Sequence, residues 1–164
     1  DVYKRQTLSQ AEELAKAARF GLGGRGYAGS TRWAGYATKK MPDLLAQSQD
    51  ETVVIAQIEE PAAVEIADSI ARIEGIDGLF AGPADLSVGM GYKNQDSNEL
   101  TAALKKVGVA AKENGKGYAS FIGDADQAKS WAEEYGVNMF FVGSEHSFMR
   151  NKANEISLRV KEIS

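Results

Sequence analysis

The sequence predicts an α/β protein built from parallel βα units, and three observations carry the prediction. Four short apolar runs, residues 52–59, 77–81, 117–122 and 138–142, alternate with segments of helical period. The first of them, TVVIAQIE, is rich in β-branched residues and polar only at its far end, as strands buried on both faces of a parallel sheet are. Each run is followed by a helix long enough to cross back over a sheet. A doubly wound sheet and a part of a (β/α)8 barrel both satisfy this alternation. A complete barrel takes roughly 250 residues, so four strands amount to about half of one.

Residues 7–20, TLSQAEELAKAARF, read as the first helix, with Ser9 and Glu12 spaced as a capping box and Leu14, Ala17 and Ala18 at helical intervals. The loop GLGGRG follows, then a second helix over residues 36–48. Residues 62–73 place Ala63, Ile66, Ala67 and Ile70 on one side of a helix. Further helices are expected at 97–113, 124–135 and 147–162. The opening DVYKRQ lacks a Met and the periodic pattern starts at Thr7, so residues 1–6 read as a tail or junction and residues 7–164 as one unit.

The chain has 164 residues, 43% hydrophobic and 26% charged, with a net charge of −4. That is an ordinary globular mixture. It offers no basic footprint for nucleic acid and no cationic face for a membrane. No apolar run approaches the length of a bilayer span, and the expected location is the cytoplasm. The absence of cysteine removes disulfides, thiolate metal sites and a Cys nucleophile from consideration.

Two acidic residues carry the chemistry. In Gln57-Ile58-Glu59 the period of two puts Gln57 and Glu59 on the same side of a strand, at its C-terminal end. Asp85 lies just past the end of the next strand, in GLFAGPADLSVGMG. In parallel α/β folds, ligands gather at the carboxyl ends of the strands. Two acids there would sit side by side and need a cation, for which carboxylate oxygens and water suit Mg²⁺ or Mn²⁺. Capping of the turn by Asp85 is the alternative. In the turn Gly82-Pro83-Ala84, glycine allows close approach of a ligand and proline restricts the backbone. The N–H groups of Ala84 and Asp85 could then hold a carboxylate.

Other candidates are weaker. GLGGRG fits the spacing of a dinucleotide loop, but a helix rather than a strand precedes it, which rejects the match. Arg25 on that loop could reach an anion or be an ordinary surface residue. His146, the one histidine, reads as solvated or capping a helix rather than as a general base. Trp33, Tyr36 and Trp131 read as packing residues.

QIE, IEGIDGLFAGPADLSVGMG, VGSE before the last helix and RGYAGSTRWAGY after the glycine loop together resemble the HpcH/HpaI aldolase family over residues 7–162. The resemblance implies the C-terminal half of a (β/α)8 barrel of the pyruvate/phosphoenolpyruvate type. It implies a divalent metal (Mg²⁺, Mn²⁺ or Co²⁺) held at Glu59 and Asp85, and a 2-oxo acid received by Gln57, the Gly82-Pro83-Ala84 turn and Arg25. The implied reaction cleaves a 2-keto-3-deoxy or 4-hydroxy-2-oxo acid to pyruvate and an aldehyde, through an enolate stabilised by the metal. The family's base histidine and pyruvate-binding arginine belong to the N-terminal half of its barrel. No catalytic base is therefore expected in this chain, which reads as a fragment inactive alone. A homo-oligomer is implied as well. A citrate-lyase-β-like acyl-CoA lyase and a non-catalytic half-barrel are the alternatives.

Overall fold

The structure, a computed structural model, describes residues 7–163; the expected tail at residues 1–6 lies outside them. Helix α1 (Leu8–Ala18) begins where extended Thr7 accepts the N–H of Gln10 at 3.3 Å and Gln10 Oε1 accepts the N–H of Thr7. The capping box is thus two residues earlier than the one expected at Ser9 and Glu12, which sit inside the helix. Helix α2 (Met41–Glu51) starts later than the expected residue 36. Gly35, Tyr36 and Ala37 all adopt positive φ, which no right-handed helix can include, and Pro42 in the first turn sets the actual start.

The remaining elements alternate as expected: β1 (Ile55–Ile58), α3 (Pro61–Glu65), α4 (Ala67–Ala71), β2 (Gly78–Ala81), α5 (Pro83–Gly89), α6 (Asn98–Glu113), β3 (Gly117–Ile122), α7 (Gln127–Tyr135), β4 (Met139–Val142) and α8 (Glu145–Lys161). Two departures are local. The helix expected over 62–73 breaks at Ile66, whose φ of −110° and ψ of 13° leave the helical region. The turn expected after β2 is a short helix, α5, with Pro83 in its first turn.

All four strands are parallel, in the order β1-β2-β3-β4. Ala56, Ile58, Leu79, Ala81, Tyr118, Ser120 and Ile122 alternate onto one face and are buried beneath helices that include α4 and α6. Residues Leu100, Ala103, Leu104, Val107 and Ala111 form the stripe of α6 that seals this core. Gly108 lets α6 approach α7: a Cβ there would lie 2.0 Å from the carbonyl oxygen of Tyr135. Inside, the Tyr118 hydroxyl donates to the Leu104 carbonyl at 2.9 Å and Ser120 Oγ donates to the Ala81 carbonyl at 3.0 Å, so neither buried hydroxyl is left unpaired.

The opposite sheet face is open, against the expectation of strands buried on both sides. The register aligns Gln57, Phe80, Ala119 and Met139 across it, and Phe121 beside Phe141. Phe121 is 44% and Phe141 51% exposed. Phe80 and Phe141 meet edge to face, with ring centroids 5.4 Å apart. Four parallel βα units with helices on one face and apolar side chains on the other are the arrangement of a (β/α)8 barrel segment, the open face being its interior. Among the described residues no helix is long and apolar enough to cross a membrane.

Candidate active site

The β1–β2 ladder continues one step past the strands, with the Gly82 N–H donating to the Ile58 carbonyl at 3.1 Å. That extra bond sets Gly82 beside Glu59, the first residue after β1. A Cβ built on Gly82 would stand 3.1 Å from Glu59 Cβ, 3.6 Å from Glu59 Oε2 and 3.7 Å from Asp85 Oδ2. Both carboxylates therefore reach one point at the C-terminal ends of adjacent strands, and only glycine leaves that point free.

The two acids differ in setting. Glu59 is buried, at 5% exposure, and its Oε2 accepts a hydrogen bond from the Gln57 side-chain amide. Asp85 is exposed in the first turn of α5. The ladder of α5 opens with Leu86 N–H donating to the Gly82 carbonyl at 2.9 Å, so the N–H groups of Ala84 and Asp85 precede it. Pro83 between them and Gly82 contributes no N–H.

These residues border a cleft of about 560 Å³ lined by Gln57, Phe80, Gly82, Pro83, Ala84 and Asp85 on one side. Its other side is Gln95, from the α5–α6 loop, with Phe121, Gly123, Gln127 and Trp131 from β3 and α7. The second side was not legible in the sequence. Trp131 does pack, edge to face with Tyr135 at 5.1 Å, but it also walls the cleft. Gln127 reads as an ordinary polar helix start until β3 and α7 are folded.

Glu59, Asp85, Gln57 and the Gly82-Pro83-Ala84 turn are thus brought together as expected. Arg25 is not among the cleft's lining residues. Its guanidinium lies 4.1 Å over the Phe20 ring and 5.6 Å from that of Trp33, and Phe20 also meets Tyr27 and Trp33. Arg25 is the centre of a cation–π cluster that shapes the glycine loop. Tyr36, expected to pack, is 70% exposed. His146 is exposed on the first turn of α8, beside Glu145 at 3.2 Å, while Ser144 caps that helix.

The donor set suits a hard divalent cation: two carboxylates of opposite burial, with one held by an amide. Among the described residues no three His, Cys, Asp or Glu side chains form a closed metal cage. Two protein ligands with the remaining positions left to water or substrate are how such a cation is commonly held at a catalytic site.

Comparison with known proteins gives concordant matches. The model of the family described as HpcH/HpaI aldolase/citrate lyase matches residues 2–151. The chain is 34% identical over 155 residues to the hydroxypyruvate/pyruvate aldolase of Delftia acidovorans, covering 90% of this chain and 55% of that protein. It is 32% identical over 160 residues to the 4-hydroxy-2-oxo-heptane-1,7-dioate aldolase of Escherichia coli, covering 94% and 59%. The crystal structure of an HpcH/HpaI aldolase/citrate lyase family protein from Burkholderia cenocepacia J2315 aligns over 96% of this chain and 62% of that one, at 26% identity and a TM-score of 0.87. The chain spans little more than half the length of the curated relatives it matches.

Proposed function

Since this chain belongs to the HpcH/HpaI aldolase/citrate lyase family, we propose that it carries the metal-holding part of an aldolase. The reaction would reversibly split a 2-keto-3-deoxy or 4-hydroxy-2-oxo acid into pyruvate and an aldehyde. The observation that supports this reading best is the convergence of the Glu59 and Asp85 carboxylates on the space above Gly82.

Glu59 and Asp85 would hold Mg²⁺, Mn²⁺ or Co²⁺. Bound there, the cation supplies Lewis-acid polarisation of a ketone, the charge stabilisation an enolate needs. The chain's own residues bind and orient. Gln57 donates its amide to Glu59 and fixes the carboxylate's direction. Gly82 keeps the approach open, and the N–H groups of Ala84 and Asp85, ahead of the α5 ladder, are donors for the carboxylate of the oxo acid. Phe80 on the cleft wall excludes water from the reacting carbon. The described lining contains no histidine, so the base that takes the methyl proton belongs to another part of the full-length protein. The lining is also free of Lys and Arg, which disfavours a CoA-phosphate site and hence the acyl-CoA lyase alternative.

The test is exchange of the pyruvate methyl protons in D₂O, followed by proton NMR, with the full-length protein that carries this chain. Exchange that requires a divalent cation and disappears in Asp85→Asn supports the reading. Exchange that persists in chelator, or that is absent with metal demonstrably bound, overturns it.

A further inference from the structure

We propose that the side of the cleft walled by Gln95, Phe121, Gln127 and Trp131 is the subsite for the aldehyde and selects an uncharged aldehyde over one bearing a carboxylate. This rests on the reading of the Glu59–Asp85 side as the oxo-acid site.

The placement follows from the topology. Phe121 shares the open sheet face with Gln57 and Phe80, so this wall faces the same space as the paired acids, one strand further along. A molecule joined to the oxo acid by a new carbon–carbon bond extends into it. Gln127 is fixed there: its Oε1 accepts the Gly123 N–H at 2.8 Å. With the side-chain carbonyl engaged by the backbone, the amide NH₂ is left as a donor. Gln95 adds a second neutral amide, and Phe121 and Trp131 supply apolar surface.

Charge decides the class of ligand. The one formally charged side chain among the described lining residues is Asp85. Lys93 stands two residues before Gln95 but is outside the lining. An aldehyde with an acidic tail would bring a second negative charge into the cleft with no cation to meet it, whereas a hydroxyl or carbonyl finds amide partners.

A matched pair of four-carbon aldehydes, butanal and succinic semialdehyde, tests the selection in the full-length protein. Pyruvate methyl exchange is measured first, without aldehyde. Adduct formation is then followed by NMR with each aldehyde. We expect kcat/KM for butanal to exceed that for succinic semialdehyde by at least about tenfold, and Gln127→Lys to shift the ratio toward the acid by about as much. Exchange with an equal or reversed wild-type ratio overturns the subsite while leaving the oxo-acid site standing. Exchange without addition of either aldehyde overturns it too, as does an unchanged ratio in folded Gln127→Lys. Absence of exchange removes the oxo-acid reading and this one with it. Should Gln127→Lys fail to fold, the wild-type ratio alone decides.

Discussion

The carboxylates of Glu59 and Asp85, carried by successive βα units, come within 3.6 and 3.7 Å of the same point above Gly82. Like charges set around one point are stable when a cation lies between them. Glu59→Gln and Asp85→Asn should each weaken Mn²⁺ binding, measured by calorimetry on the full-length protein, by at least about tenfold. Metal-dependent pyruvate exchange should fall in parallel, while the thermal midpoint in chelator changes little. Retention of wild-type affinity by either variant would remove it from the metal site.

Gly82→Ala places a methyl 3.1 Å from Glu59 Cβ. Backbone on both sides limits how far either residue can yield, and overpacking of this kind costs about 1–3 kcal/mol. The expected outcome is a lower urea midpoint together with weaker Mn²⁺ binding. A variant as stable as wild type, with unaltered metal affinity, would show that the Glu59 side chain turns away freely.

Tyr118 is 1% exposed, and burial, with Tyr135 nearby as the lesser cause, pushes its phenol well above the usual value of about 10. A raised folded-state pKa means that the stabilisation is complete below the unfolded pKa and is lost as pH climbs above it. Stability should therefore hold up to about pH 10 and decline beyond it. Tyr118→Phe should cost about 1 kcal/mol at neutral pH for the lost bond to the Leu104 carbonyl, and its alkaline decline should be shallower. Denaturant titrations at pH 8 and pH 11 on both proteins check this.

Arg19 closes the other end of the sheet. Its guanidinium donates to Asp77 Oδ2 at 3.0 Å and to the Gln49 carbonyl at 2.7 Å, and Asp77 Oδ2 also accepts the Val54 N–H at 2.7 Å. Because Arg19 ties α1 and α2 to both adjacent strands, Arg19→Met should destabilise by about 1–3 kcal/mol while leaving metal affinity intact. A change in affinity without a change in stability would contradict this purely structural role.

The open sheet face makes a prediction about the 164-residue chain in solution. Apolar surface such as Phe121 and Phe141 binds hydrophobic dyes when uncovered. The chain should enhance ANS fluorescence, and Phe121→Ser combined with Phe141→Ser should reduce the signal by about half or more. No enhancement in the parent chain would mean that this face is covered.

Much of the fold was legible because its signals are local. Strand β3 falls on the expected residues 117–122, and α6 follows from helical spacing of Leu100, Leu104, Val107 and Ala111. Misplaced boundaries arose where the backbone outweighed the pattern. Positive φ at Tyr36 and Ala37 delayed α2, and α5 was hidden because proline and glycine at its ends read as a turn.

By itself the sequence determined the parallel βα alternation, the pair Glu59 and Asp85 at strand ends, and the turn that carries the second acid. These depend on period, composition and neighbours along the chain. Only the tertiary structure decided that both carboxylates meet above Gly82, that Arg25 stacks on Phe20 outside the cleft's lining, and that Gln95, Gln127 and Trp131 form its far wall. Those relations depend on strand register and helix packing, which join residues far apart in the chain and leave no periodic mark in it.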